Sequence, residues 1–221
     1  MQWRQNATAR TARAGALVAV VCAAVTGCAG GEDDAAPTTT TTAATAATTI
    51  TTTAATAGAG SGFDPESVPL SDAELGEFPY FAIPAGFENP EAPEPIVESD
   101  RVPVWTGDRI EWVVGTVHQS PIYATGDTEF SKLALLAAID AEIGDAGGVR
   151  VTDSRIPQEV LDTIDRDVRV SYSSGLGDIY NSDVTTYLVR QTDRRVWVHV
   201  TSTSAGGNWM IVSEPIAPGG N

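Results

Sequence analysis

Residues 35–62 set the limits on what this chain can fold into, because they supply almost nothing that folds. The stretch holds 12 Thr and 10 Ala among 28 residues, has no charge, and has Ile50 as its one large apolar side chain. Burial of so little surface cannot offset the entropy of ordering the backbone, so the sequence predicts a disordered linker. As a flexible coil it spans on the order of 30 Å, at about 5–6 Å × √n. An exposed Thr-rich tract also offers hydroxyls to O-linked sugars, and the composition suits a modified and a bare linker equally. Any packed core must lie beyond it.

The chain ahead of the linker reads as a targeting segment. Arg4, Arg10 and Arg13 come with no acidic residue, and the apolar run Ala14–Val25 follows. A basic start, a short apolar run and small residues before a cut make a secretory signal over residues 1–27. The run is too short to span a bilayer, which takes roughly 18 residues or more. Val25-Thr-Gly-Cys28 resembles the lipobox of bacterial lipoproteins. That resemblance implies a diacylglyceryl group, with acyl chains such as palmitate, on the sulfur of Cys28, which becomes the first mature residue. An ordinary secretory signal with an incidental Cys28 is the plainer alternative. The lipobox reading puts the mature protein on the extracytoplasmic side of a bacterial membrane, held there by its lipid.

Charge and cysteine content exclude several functions. Three of the 13 basic residues and none of the 29 acidic ones lie in residues 1–27, which leaves a mature charge of −19. So acidic a chain is a poor ligand for nucleic acid and is repelled overall by anionic headgroups. Cys22 leaves with the signal and Cys28 carries the lipid. The mature protein then has no thiol nucleophile, redox pair or thiolate metal site. Nothing in the sequence calls for a cofactor.

Residues 63–103 form an acidic collar with eight prolines, which exclude long helices and central strands. Within it, Phe78–Pro84 is apolar enough to dock on the domain that follows, and Glu88–Asp100 is expected to be extended and solvated. Folded sequence is expected from near Val102, in a domain over 104–215 with a short tail at 216–221. Ile110–His118 alternates as a strand, with Trp112, Val114, Thr116 and His118 on one face. Asp127 or Thr128 is expected to cap a buried helix running to about Gly144. A short strand at Val149–Thr152, a helix from Pro157 to about Ile164 and a strand at Val168–Tyr172 follow. The strands Val184–Arg190, Arg195–Thr203 and Trp209–Ser213 close the chain as an antiparallel meander. The expected fold is α+β, a single small domain of mainly antiparallel sheet with one long and one short helix.

Candidate chemistry is sparse. His118 and His199 have no helical partner and no neighbouring His, so a zinc site would need carboxylates to complete it. Asp162, Asp165 and Asp167 lack the glycine and distal glutamate of a calcium loop. Ser173-Ser-Gly-Leu-Gly177 and Ser204-Ala-Gly-Gly207 match neither a nucleophile elbow nor a phosphate-binding loop. Ser204, His199 and Asp193 supply the residue types of a hydrolase triad without a spacing that recommends them. Trp105, Trp112, Trp197 and Trp209 suit either a core or a stacking face for sugars. In the strand Arg195–Thr203, Val196, Val198 and Val200 should pack under the 128–144 helix. Trp197, His199 and Thr201 then form the opposite face, a candidate interaction surface if it is open.

From Phe78 to Glu214 the order of features resembles a bacterial envelope domain that often stands ahead of an OmpA-type peptidoglycan-binding module. The likeness rests on Phe78-Pro-Tyr-Phe, Pro103-Val-Trp-Thr-Gly, Glu111-Trp-Val-Val-Gly, Gly147-Gly-Val-Arg-Val, Gly177-Asp-Ile-Tyr, Tyr187-Leu-Val-Arg and Val196-Trp-Val-His-Val. It implies a structural rather than a catalytic domain and assigns no active site. No room remains before Asn221 for the second module, so peptidoglycan binding through that module's groove is not expected. The sequence therefore favours a lipid-anchored envelope lipoprotein with a non-catalytic interaction domain, whose partners are wall or envelope components. A tethered wall-polymer hydrolase and a sugar-binding module stay open beside it.

Overall fold

Uncharged, β-branched runs dominate the chain after residue 96, and in a computed structural model they build one antiparallel sheet. The structure describes residues 62–216, all within one compact unit. The signal segment 1–27, Cys28, most of the linker and the tail after residue 216 lie outside the described residues. The strands are β1 (Phe87–Glu88), β2 (Val97–Trp105), β3 (Ile110–Ala124), β4 (Val149–Ser154), β5 (Val184–Arg190), β6 (Arg194–Ser202) and β7 (Gly207–Pro215). The helices are α1 (Lys132–Asp145), α2 (Gln158–Leu161), α3 (Arg166–Ser171) and α4 (Ser173–Leu176). The strand order is β1-β3-β7-β6-β5-β4, with β2 also paired to β3. The α+β class and the closing meander stand as expected.

Both faces of the sheet are covered. On one, Val196, Val198 and Val200 of β6 pack with Leu135, Ile139 and Ile143 of α1. On the other, Leu188, Trp197 and Met210 pack with Leu161, Ile164, Leu176 and Ile179 from the α2–α4 region. The β2–β3 hairpin bends over this second face. Its Trp105 indole donates to Ser154 Oγ of β4 at 3.0 Å, although β4 stands at the other end of the strand order. Gly107, at φ +97°, leaves a Cβ no space, since that atom would lie 2.8 Å from Thr152 Oγ1. Among the described residues no helix is long and apolar enough to cross a membrane.

Several expectations are corrected. Folding starts at Phe63, not near Val102, because the collar is part of both cores. Val68 is buried in one and Phe81 in the other. The collar passes between the two faces at the β5–β6 turn, where Ser71 N donates to Arg190 O at 2.7 Å and Ser71 Oγ to Ala146 O at 2.6 Å. Phe78–Pro84 docks as expected. Glu88–Asp100 is extended and largely exposed as expected, and its last residues, Val97–Asp100, open β2 against β3. Val168–Tyr172 is helical, forming most of α3 and its cap. The long helix starts later than expected, with Ser131 Oγ accepting from Ala134 N at 3.2 Å as its N-cap.

Candidate functional site

Trp197, His199 and Thr201 lie on the face opposite Val196, Val198 and Val200, as their alternation requires. That face is not open. The three are 1%, 1% and 2% exposed, so the expected interaction surface is corrected to interior. The cause is the second layer formed by α2–α4, where the sequence pattern predicts one helix and one strand instead.

What the face recognises is the chain's own α3–α4 segment. Gln119 Nε2 donates to Ser171 O and Gln119 Oε1 accepts from Gly175 N, each at 3.1 Å. Thr201 Oγ1 donates to Leu176 O at 3.0 Å, and His199 Nε2 meets the same carbonyl at 3.3 Å. Asn208 Nδ2 donates to Ser174 O at 2.9 Å. Short helices leave most carbonyls without intrahelical partners, and here sheet side chains satisfy them. Close approach needs the glycines of the Ser173–Gly177 loop. A Cβ on Gly175 would sit 2.8 Å from Gln119 Cβ and 2.9 Å from Met210 Cβ. Gly177 has φ +60°, and its Cβ would be 2.2 Å from Thr201 Oγ1.

The histidine is held neutral. A carbonyl only accepts, so Nε2 carries the proton and Nδ1 is left as an acceptor. Nδ1 is buried with no hydrogen-bond partner. On β5, Thr186 is its register partner, and Thr186 Oγ1 is also buried without one. Burial lowers the His199 pKa to about 4, against a smaller opposing effect of the Leu176 carbonyl.

The other constellations do not assemble. His118 lies on the α1 face, two strands from His199 with β7 between them, so the two do not meet. Ser204 and Asp193 belong to the turns at opposite ends of β6, and His199 points inward between them. Asp162 ends α2 and Asp165 precedes α3. Among the described residues no group of three His, Cys, Asp or Glu is placed to hold a metal ion. Trp105, Trp197 and Trp209 are core residues. Trp112 is half-buried, with the Arg101 guanidinium 4.5 Å from its ring centre. The tryptophans do not form an open stacking row. Among the described residues the surface carries shallow depressions, two of them of about 610 and 430 Å³. One lies between Ser71–Leu75 and the β5–β6 turn, the other between Lys132, the Asp178–Asp183 loop and Ser202–Ser204.

Two groupings escaped the sequence. In the first, the collar's opening residues form a strap. Phe63 packs on Trp197, Arg109 Nη2 donates to Phe63 O at 2.7 Å, and Glu66 bridges Arg190 and Arg195. Those arginines are register partners on β5 and β6, a like-charge pair that Glu66 and Glu214 offset. In the second, Arg155 and Arg169 converge on Tyr180. Its one sequence signal was the spacing of Arg166, Arg169 and Val170, visible only if that stretch is read as helix. Compared with known protein families, curated proteins and solved structures, the chain finds no match in any of the three.

Proposed function

We propose that this chain is a bacterial envelope lipoprotein, anchored through lipid on Cys28 and presenting an interaction domain at the end of a disordered linker. The observation that carries this reading is the seat of Phe63. The folded unit begins immediately after the Thr/Ala tract, and its first large residue is fixed at its ring by Trp197 and at its backbone by Asp108 and Arg109. A linker joined to so firmly held a strap presents the domain from a defined point.

The interior use of His199 and Thr201 supports an interaction role over catalysis, because both groups are committed to the Leu176 carbonyl. No observation favours the hydrolase or the sugar-binding module. The partners in this reading are the membrane, through lipid, and envelope or wall components. Nucleic acid is disfavoured by charge.

The test is metabolic labelling with a fatty acid in a bacterial host. The natural chain should be labelled and fractionate with membranes, while Cys28→Ala should lose the label and keep its signal or be released. Undiminished label on Cys28→Ala contradicts the anchor.

A further inference from the structure

Carboxylates engage most of the domain's cations. Three acidic and three basic residues precede residue 62, so residues 62–216 hold 26 acidic and 10 basic side chains. Arg109, Lys132, Arg150, Arg190, Arg194 and Arg195 make ion pairs. The four cations without one among the described residues are Arg101, Arg155, Arg166 and Arg169. Three of these lie together.

Arg155 Nη2 donates to Tyr180 O at 3.1 Å, and the Arg169 guanidinium lies 5.6 Å from the Tyr180 ring centre. Arg166, Arg169 and Val170 occupy i, i+3 and i+4 of α3 and so share one side of it. Val168, on the other side, packs on the core. Val170 is 59% exposed and Tyr180 45%. Arginines without carboxylate partners, beside an exposed aliphatic residue and a tyrosine, suit a membrane interface. There guanidinium meets phosphate oxygens, tyrosine sits at headgroup depth and the aliphatic group reaches the acyl boundary.

We propose that Arg155, Arg166, Arg169, Val170 and Tyr180 dock the domain on anionic phospholipid headgroups of the membrane that holds its lipid. The proposal rests on the anchored reading above. Asp165 and Asp167 flank Arg166 within a Debye length of about 8 Å and offset part of its charge, whereas more distant carboxylates of the acidic total are largely screened. Reach favours the same partner. Phe63, where the linker enters, packs on the same core as α3, so linker and patch share one face of the sheet. As the flexible coil that its composition predicts, the linker back to Cys28 would span only on the order of 30 Å, which would keep headgroups within range.

The experiment uses the chain from residue 29 onward, without lipid, sedimented with vesicles of phosphatidylcholine alone or mixed with phosphatidylglycerol. Binding is expected only to the mixed vesicles and should be lost in high salt. Exchanging Arg166 or Arg169 for Gln should weaken it roughly fivefold per arginine, and Tyr180→Ser should weaken it further. Each variant is matched to the natural chain in thermal melting, which these exposed positions should leave unchanged. Arg150→Gln is the control: it removes a cation from the α1 side, where Arg150 pairs with Asp140 and lies over Tyr187, and should bind as the natural chain does. Three results overturn the proposal: no binding, equal loss for Arg150→Gln, or binding to a soluble phosphodiester polymer but not to vesicles. Because the assayed chain carries no lipid, its failure indicts the patch, whereas failed labelling at Cys28 indicts the anchor.

Discussion

The ring of Phe63 meets the ring of Trp197 edge-on, with centroids 6.2 Å apart and planes at 74°. This contact joins the first large side chain after the linker to the centre of a core. Trp197 is fixed from its other end as well, since its Nε1 donates to Glu214 Oε2 at 2.9 Å. Phe63→Ala should therefore loosen the strap without unfolding the sheet. The expected cost is on the order of 1–2 kcal/mol, below a full Phe→Ala truncation because Phe63 is only half-buried. Denaturant unfolding followed by tryptophan fluorescence measures it, and an unchanged midpoint counts against the strap.

Glu66 holds the strap electrostatically. Hydrogen bonding to Arg195 is the first cause of its lowered pKa, with burial opposing and Arg190 assisting. A carboxylate with a depressed folded pKa contributes stability above its unfolded value and loses it as pH falls. Glu66→Gln should lower the thermal midpoint at neutral pH, and the difference from the natural chain should shrink in acid. A difference that grows in acid would reverse the sign and refute the assignment.

His199 gives a second pH dependence with a different window. Its folded pKa of about 4 lies below the unfolded value near 6.5, so below that value the unfolded chain binds a proton that the folded chain does not. Stability from this group is full above about pH 6.5 and declines as pH falls toward 4, by roughly 3 kcal/mol at most. Burial pushes His118 the same way. Replacing His199 with Leu should flatten the curve across that window. An unchanged slope would show that His199 is not the titrating group.

The faces of β6 were legible in the sequence, but their surroundings were not. Period-2 alternation sorted Val196, Val198 and Val200 from Trp197, His199 and Thr201, because pleating alone dictates it. That both faces are buried was also signalled, since Val184–Val189, Val196–Thr203 and Gly207–Val212 contain no charge. The signal was missed because threonine and histidine suit a half-exposed face equally well. Val168–Tyr172 alternates over too few residues to separate strand from helix. The start of α1 was misplaced because Asp127, Thr128 and Ser131 all make good caps, and only packing chooses among them. The strap was illegible, since Phe63 and Glu66 find Trp197, Arg190 and Arg195 more than a hundred positions away.

Val198→Ala and His199→Ala should now cost similar amounts. Val198 lies in the α1-side core and is 0% exposed, so its truncation should cost about 1–3 kcal/mol. His199→Ala opens a cavity and removes one of two partners of the Leu176 carbonyl, for on the order of 2–3 kcal/mol. Chemical denaturation of both variants decides the matter. A loss for His199→Ala far below that for Val198→Ala would restore the open-face reading.

Gly175→Ala tests how tightly α4 is docked. The added Cβ would meet two side-chain Cβ atoms rather than flexible ends, so the helix must lift from Gln119 and Met210. Overpacking of this kind costs about 1–3 kcal/mol, and hydrogen exchange at the Gly175 amide should quicken. Natural-like stability and exchange would mean that α4 yields easily.

The most direct measurement for the anchored-domain account is the intact mass of the mature protein extracted from bacterial membranes, with its N-terminal fragment sequenced. The account predicts a chain that starts at Cys28 and carries a diacylglyceryl group on that residue. An unmodified polypeptide, or a mature chain that begins at any other residue, would contradict it.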